Sequence, residues 1–165
     1  MVNMKLRAEL PKSAIVGLVD TREQRPLYLP GICTEPASLA TGDYSLRGAE
    51  AAVAIERKSL EDLVACCGRE RERFEREVQR LLAYPVRAVV IEANWEDIEL
   101  ANWRGRLNAK QVGASLVSWQ VRGLPIIMAG HPERAGRLVS AMLRRVAIHR
   151  WRELRTFAAG LDDER

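Results

Sequence analysis

Histidine is nearly absent from this chain: His131 and His149 are the only two in 165 residues. That scarcity excludes histidine-rich metal centres and leaves little from which to build a histidine-based triad. Cysteine is almost as rare. Cys33, Cys66 and Cys67 have neither CxxC spacing nor a nearby histidine, so a zinc site is not expected. The adjacent Cys66–Cys67 pair reads as half-buried helix packing in a reducing compartment. Lysine is confined to Lys5, Lys12, Lys58 and Lys110, and arginine supplies the remaining positive charge. No apolar run reaches the length of a membrane span, and Met1–Lys5 lacks the apolar stretch of a signal peptide. A cytoplasmic protein is expected. Any catalysis must rest on carboxylates, lysine and metal.

The composition, 47% hydrophobic and 29% charged, is that of a soluble globular domain long enough to bury a core. A net charge of +4 and a pI near 9.2 favour a polyanionic partner. Arginine's planar fork binds phosphate at two points, although an arginine bias also follows from a GC-rich genome. There is no internal repeat, low-complexity tract or linker. One domain is expected over residues 14–150, with 1–13 and 151–165 as terminal extensions, the first of them polar and loosely held.

Ile15 to Val19 is a continuous apolar run, as in a central strand buried on both faces, with Asp20 at its end. Pro26, Pro30 and Gly31 make 24–31 a loop. Strands are expected at 43–47 and 52–58, joined as a hairpin. Ser59 caps a helix with Asp62 at its N3 position, in the manner of a capping box, and Leu60, Leu63, Val64 and Cys67 form its apolar stripe. After Gly68 a second helix, Arg69 to Leu82, buries Phe74, Val78, Leu81 and Leu82 and pairs Glu72 with Arg76. A strand covers Val86 to Glu92, and Trp95 to Trp103 is a polar connection with possible helical turns. A helix opening at Asn108 or Ala109 buries Val112, Leu116 and Trp119. The last strand is Leu124 to Met128. A final helix starting near Pro132 buries Ala135, Leu138, Val139, Met142, Leu143 and Val146. This order of elements gives a three-layer α/β/α domain.

The chemistry concentrates in Ala54-Ile55-Glu56-Arg57-Lys58-Ser59-Leu60-Glu61-Asp62. Strand side chains alternate faces, so Glu56 and Lys58 share one face, roughly 6–7 Å apart along the strand, and Arg57 takes the other. Glu56 closes an apolar strand, where an unpaired carboxylate is costly. An acid beside an ammonium suits a divalent metal together with a phosphate or an oriented water. The hairpin brings Asp43 toward Glu56, so two hard oxygen ligands converge, as Mg²⁺ prefers. Asp20 ends a buried strand, a usual place for ligands in an α/β sheet, and Glu23 follows three residues on. Arg22 and Arg57 either contact phosphate or hold these acids in place. Asp62 is accounted for by capping alone. The arginine- and glutamate-rich face from Arg69 to Arg80, including Arg73, is either a solvated, self-paired surface or a DNA-binding one. Among the tryptophans, Trp119 belongs to the core by its spacing, and Trp103, between Asn102 and Arg104, is the candidate for stacking on unpaired bases.

Gly42-Asp43, then Glu56-Arg57-Lys58, then Asp62 resembles the GD…ERKxxxD signature of the XPF-type structure-specific DNA nucleases. Val19-Asp20-Thr21-Arg22-Glu23 is similar to that family's first acidic motif, and Arg73-Phe74-Glu75-Arg76-Glu77 with Arg80-Leu81 to the helix after its active site. The resemblance runs from Val16 to Ala129. It implies a restriction-endonuclease-like fold with a mixed sheet, and a metal-dependent endonuclease acting on branched or junction-containing DNA, as in DNA repair, leaving 5′-phosphate and 3′-hydroxyl ends. Carried onto this chain, the catalytic set is Asp20, Glu23, Asp43, Glu56, Arg57, Lys58 and Asp62. Asp20, Asp43 and Glu56 hold Mg²⁺ or Mn²⁺, and Arg22, Arg57, Lys58, Arg69 and Arg73 contact DNA.

The resemblance also implies a homodimer paired through the C-terminal helices. The apolar residues Val117, Val121 and Ala141, which fall outside the buried stripes, support that pairing. A helix-hairpin-helix module like the family's is not expected after the last strand. The chain therefore looks like compact prokaryotic or phage versions, with a helicase or other DNA-binding protein as a possible partner. The competing readings are a non-catalytic DNA-binding scaffold of the same fold and an arginine-rich RNA-binding domain. The scaffold reading is disfavoured because the signature acids and lysine are all present. The RNA reading gives no reason for acids at strand ends.

Overall fold

The computed structural model describes residues 6–162. Six strands, β1 (Val16–Asp20), β2 (Cys33–Ala37), β3 (Tyr44–Leu46), β4 (Val53–Lys58), β5 (Val86–Ile91) and β6 (Ile126–Met128), form one sheet in the order β2-β1-β3-β4-β5-β6. β3 runs antiparallel to both β1 and β4, while β1–β2, β4–β5 and β5–β6 are parallel pairs. The helices are α1 (Leu60–Cys67), α2 (Arg71–Leu82), α3 (Trp95–Glu99), α4 (Ala109–Val121) and α5 (Pro132–Asp162).

Strand alternation divides the sheet between two cores. Ala54, Val89 and Ile91 pack with Leu63, Phe74, Val78, Leu116 and Trp119 on the face covered by α1, α2 and α4. Val53, Ile55, Val90 and Tyr44 face α5, against Val139 and Leu143. The expected three-layer arrangement with a mixed sheet is thus observed.

Several local expectations change. β2 had no strand signal, because its first four residues are exposed and Pro36 interrupts it; an edge strand tolerates both. α2 begins at Arg71, since residues 68–70 form a turn that leaves Arg69 outside the helix. Its ion pairs include Arg71–Glu75, Arg73–Glu70, Arg80–Glu77 and, to the end of α4, Glu75–Arg122, and Glu72–Arg76 is not among the pairs formed by the described residues. Cys66 and Cys67 are fully buried rather than half-buried, and burial pushes the Cys66 thiol up to about 12. α5 runs on through Trp151 to Asp162. There Trp151 Nε1 donates to the Arg7 carbonyl at 3.2 Å and an Arg155 nitrogen to the Ala8 carbonyl at 2.6 Å, tying residues 7 and 8 to the helix. Residues 1–5 of the N-terminal extension lie outside the described residues, as do 163–165. No helix among the described residues is long and apolar enough to cross a membrane.

Candidate active site

The site begins where β4 leaves the core. Ala54 and Ile55 are completely buried, and the strand continues in one register against β5 as far as Lys58. Glu56 and Lys58 follow Ala54 onto the α1/α2 face and form an ion pair. Lys58 Nζ lies 5.2 Å from the centre of the Phe74 ring of α2, so the ammonium is held by an aromatic face as well as a carboxylate. Burial alone would lower the Lys58 pKa, but the adjacent Glu56 charge outweighs it and the lysine stays protonated.

Asp43 enters through Gly42, whose φ of +78° suits glycine and whose added Cβ would come within 3.0 Å of the Ile55 carbonyl oxygen. This close approach lets the Asp43 N–H donate to the Ile55 carbonyl at 2.9 Å, while the Asp20 N–H donates to the Asp43 carbonyl at 2.8 Å. β1 pairs Val19 with Tyr44, and β3 pairs Tyr44 with Ile55. These pairings bring Asp20, Asp43 and Glu56, each at or beside the end of its strand, into one cleft. The three acids line a cleft of about 770 Å³, walled on one side by Arg22, Glu23 and Arg25 and on the other by Arg73, Glu77 and Arg80 of α2.

The three acids are not equivalent. Asp20 is buried, and both its oxygens are filled: Oδ1 accepts from the Arg22 N–H at 2.8 Å and its Nε at 2.7 Å, while Oδ2 accepts from the Leu39 N–H at 2.8 Å and an Arg22 terminal nitrogen at 3.1 Å. The Arg22 side chain is the main reason its pKa falls to about 2. Asp43 accepts a single N–H, from Arg57, on Oδ2 at 2.7 Å. Burial first, then the Glu56 charge, push the Asp43 carboxyl up to about 7. Burial also raises the Glu56 pKa, against the opposing pull of Lys58. Asp43 and Glu56 are therefore two neighbouring carboxylates with too little positive charge between them.

The other predicted residues take up varied places. Arg57 points to the α5 side, as alternation requires. There its Nε and a terminal nitrogen each donate to one oxygen of Glu92 at 2.8 Å, and its remaining nitrogen stands 3.6 Å from Glu23. Glu23 accepts the Arg25 N–H at 2.7 Å. Asp62 lines the cleft, but its carboxylate accepts the Ser59 hydroxyl at 2.7 Å; the expected reach back to the Ser59 backbone is replaced by this side-chain bond. Arg73 lines the cleft and is largely exposed, whereas Arg69 is not among the lining residues. Trp103 is not among them either. Its Nε1 donates to the Leu107 carbonyl at 3.0 Å and its ring packs against the core.

Sequence reasoning named Glu77 and Arg80 only as part of a helix face and missed Glu92. Glu77 and Arg80 share the helix face of Arg73 at i+4 and i+7, a spacing already present in the sequence. Glu92 follows the apolar run of β5 just as Glu56 follows that of β4, and the same argument from a costly strand-end acid would have found it.

The donor set suits a divalent cation. Mg²⁺ is commonly held by one or two carboxylates and completed by water and phosphate oxygens. Asp43 and Glu56 are two carboxylates of that kind, and a cation would relieve the Glu56 charge that raises Asp43 and offset the burial that raises both. No group of three or more Asp, Glu, His or Cys residues that could hold a metal is present among the described residues, and Asp20 is turned to Arg22.

Comparison with known proteins bears on the family and the fold. Residues 19–142 match the family model described as the ERCC4 domain. Among solved structures the chain is similar to XPF from Aeropyrum pernix, at 20% identity and a TM-score of 0.63, over 79% of this chain and 61% of that one. It is similarly close to XPF from Aeropyrum pernix in complex with DNA, at 20% identity and a TM-score of 0.65, over 81% of this chain and 65% of that one. The likeness establishes the shared fold, and the chain spans less than two thirds of those chains. No curated protein matches it.

Proposed function

The chain belongs to the ERCC4 domain family, and from that premise we propose that it is a metal-dependent endonuclease for branched or junction-containing DNA, leaving 5′-phosphate and 3′-hydroxyl ends. The observation that carries the reading is the Asp43–Glu56 pair in the cleft, with Lys58 bonded to Glu56.

Asp43 and Glu56 would hold Mg²⁺, or Mn²⁺ in its place. The bound ion would supply Lewis-acid polarisation of the scissile phosphate and a more acidic water. Lys58 presents a fixed positive charge beside Glu56. It would stabilise charge developing on the phosphate oxygens, or orient the attacking water, a contribution of about 3 kcal/mol for one preorganised donor in a water-poor site. Asp20 joins the metal ligands only if Arg22 releases it; with Arg22 in place, it fixes the loop after β1. Arg22 and Arg73 are exposed on opposite walls, and would take phosphates of the strand entering the cleft. Arg57 is committed to Glu92 and Glu23 and acts by holding other groups. Asp62 supports the wall from the cap of α1.

We further propose a homodimer through the C-terminal helices, because Val117 and Val121 of α4 are exposed and apolar.

The experiment for the enzymatic reading uses end-labelled flap, fork and plain duplex DNA, with Mg²⁺ and with EDTA. Cleavage restricted to the junction substrates and abolished by EDTA is expected. Cleavage that persists in EDTA would remove the metal from the mechanism. Binding without cleavage would point instead to a DNA-binding scaffold.

A further inference from the structure

Glu92 lies on the opposite face of the sheet from Glu56 and Lys58, is not among the residues lining the cleft, and has no part in the reaction above. We propose that it is a positioning residue that sets the Asp43–Glu56 pair, acting through Arg57. The inference rests on the nuclease reading only in what it says about cleavage; the geometry stands without it.

Glu92 meets the end of β4 twice. Its carboxylate takes Nε and a terminal nitrogen of Arg57 at 2.8 Å each, a two-point fork that fixes the guanidinium in plane and direction. Its own N–H donates to the Lys58 carbonyl at 2.9 Å, extending the β4–β5 ladder one residue past β5. Side chain and backbone of one residue therefore anchor two successive residues of β4. The peptide between Ile55 and Lys58 cannot turn while both anchors hold. Within that peptide the Arg57 N–H is the group that grips Asp43 Oδ2 at 2.7 Å. Asp43 thus owes its orientation on one face of the sheet to an acid on the other face. The third Arg57 nitrogen faces Glu23, so the same fork ties the loop after β1 into the arrangement. Both carboxylates are largely buried, at 7% side-chain exposure for Glu92 and 9% for Glu23. Such charges are held in low-dielectric surroundings only by their partners, so the fork has one stable geometry.

The test uses Glu92→Gln, which keeps the shape and removes the charge. In the metal-free protein, exchange of the Arg57 amide should accelerate at least tenfold. The Val89 amide, bonded to the Pro125 carbonyl within the core, should be unchanged. Calorimetry with Mn²⁺ alone should show affinity at least fivefold weaker than wild type. Single-turnover cleavage should fall at least tenfold, with the affinity for DNA within twofold. A folded Glu92→Gln protein with wild-type Arg57 exchange and Mn²⁺ affinity would overturn the proposal. If Glu92→Gln does not fold, Glu92→Asp, which keeps the charge but shortens the reach, is measured in the same way. A smaller loss in the same direction is expected, and no loss overturns the proposal. If wild type cuts no DNA yet Arg57 exchange accelerates in the variant, the nuclease reading falls and the positioning role stands.

Discussion

Replacing Asp43 with asparagine should make the metal-free protein more stable at pH 8 while abolishing cleavage. The Asp43 carboxyl is raised from 3.8 to about 7 by burial and by the Glu56 charge. A raised carboxyl binds its proton more tightly folded than unfolded, so stability is full below about pH 4 and is lost as pH climbs through about 7. Complete loss corresponds to about 4 kcal/mol, reached above pH 7. The amide of the Asp43→Asn variant carries no charge, keeps an oxygen for the Arg57 N–H and gains a donor that Glu56 can accept. Desolvating that amide takes back part of the gain, leaving about 2–3 kcal/mol. For a chain of this size that is roughly 5–10 °C in Tm.

The assay is thermal unfolding followed by circular dichroism in EDTA, at pH 8 and at pH 5. At pH 5 Asp43 is mostly protonated in the folded protein, and the difference between the two proteins should shrink to about 1–2 °C or less, by the same linkage. Added Mg²⁺ at pH 8 should raise the wild-type Tm and leave Asp43→Asn almost unmoved, because the ion relieves a repulsion the variant lacks. A metal-free Asp43→Asn protein that melts below wild type at pH 8 would refute the argument: the carboxylate would then be satisfied without a cation, and the case for a metal at this pair would fail with it.

Lys58→Met keeps an unbranched stem against Phe74 and removes the charge, and it should lower single-turnover cleavage by about 10²-fold or more while leaving Mn²⁺ affinity within a fewfold of wild type. Wild-type cleavage by that variant would show the lysine has no role in the chemistry. Light scattering behind a sizing column at micromolar protein should give a mass near twice 18.6 kDa. Val121→Glu, at a position 83% exposed, should split that dimer without unfolding it, whereas Val139→Glu, at a fully buried position, should unfold the protein. A wild-type mass near that of one chain would reject the dimer.

Much of this protein could be read without coordinates, for a definite reason. Hydrophobic alternation follows from the backbone geometry of a strand, so the run through Ile55 specified that Glu56 and Lys58 share a face and that Arg57 lies opposite. The hairpin length likewise specified that Asp43 returns toward Glu56. Helical stripes named Val78, Leu116, Trp119, Val139 and Leu143 as core, and all are buried. The ordered acids and the lysine pointed to the family that residues 19–142 match.

Contacts between elements distant in sequence were decided only by the tertiary structure. β2 is held by one neighbour rather than by burial, so its own residues carry no strand pattern. Whether Asp20 is a free ligand or a clamp depends on Arg22 and on the Leu39 N–H, which lies 19 residues away along the chain. Arg57 meets Glu92 across 35 residues, and no local spacing encodes that meeting. The charge state of Asp43 depends on burial and on how near Glu56 lies. Sequence order names the acids, but local dielectric and distance determine which of them lacks a counter-charge, and those exist only once the sheet has formed.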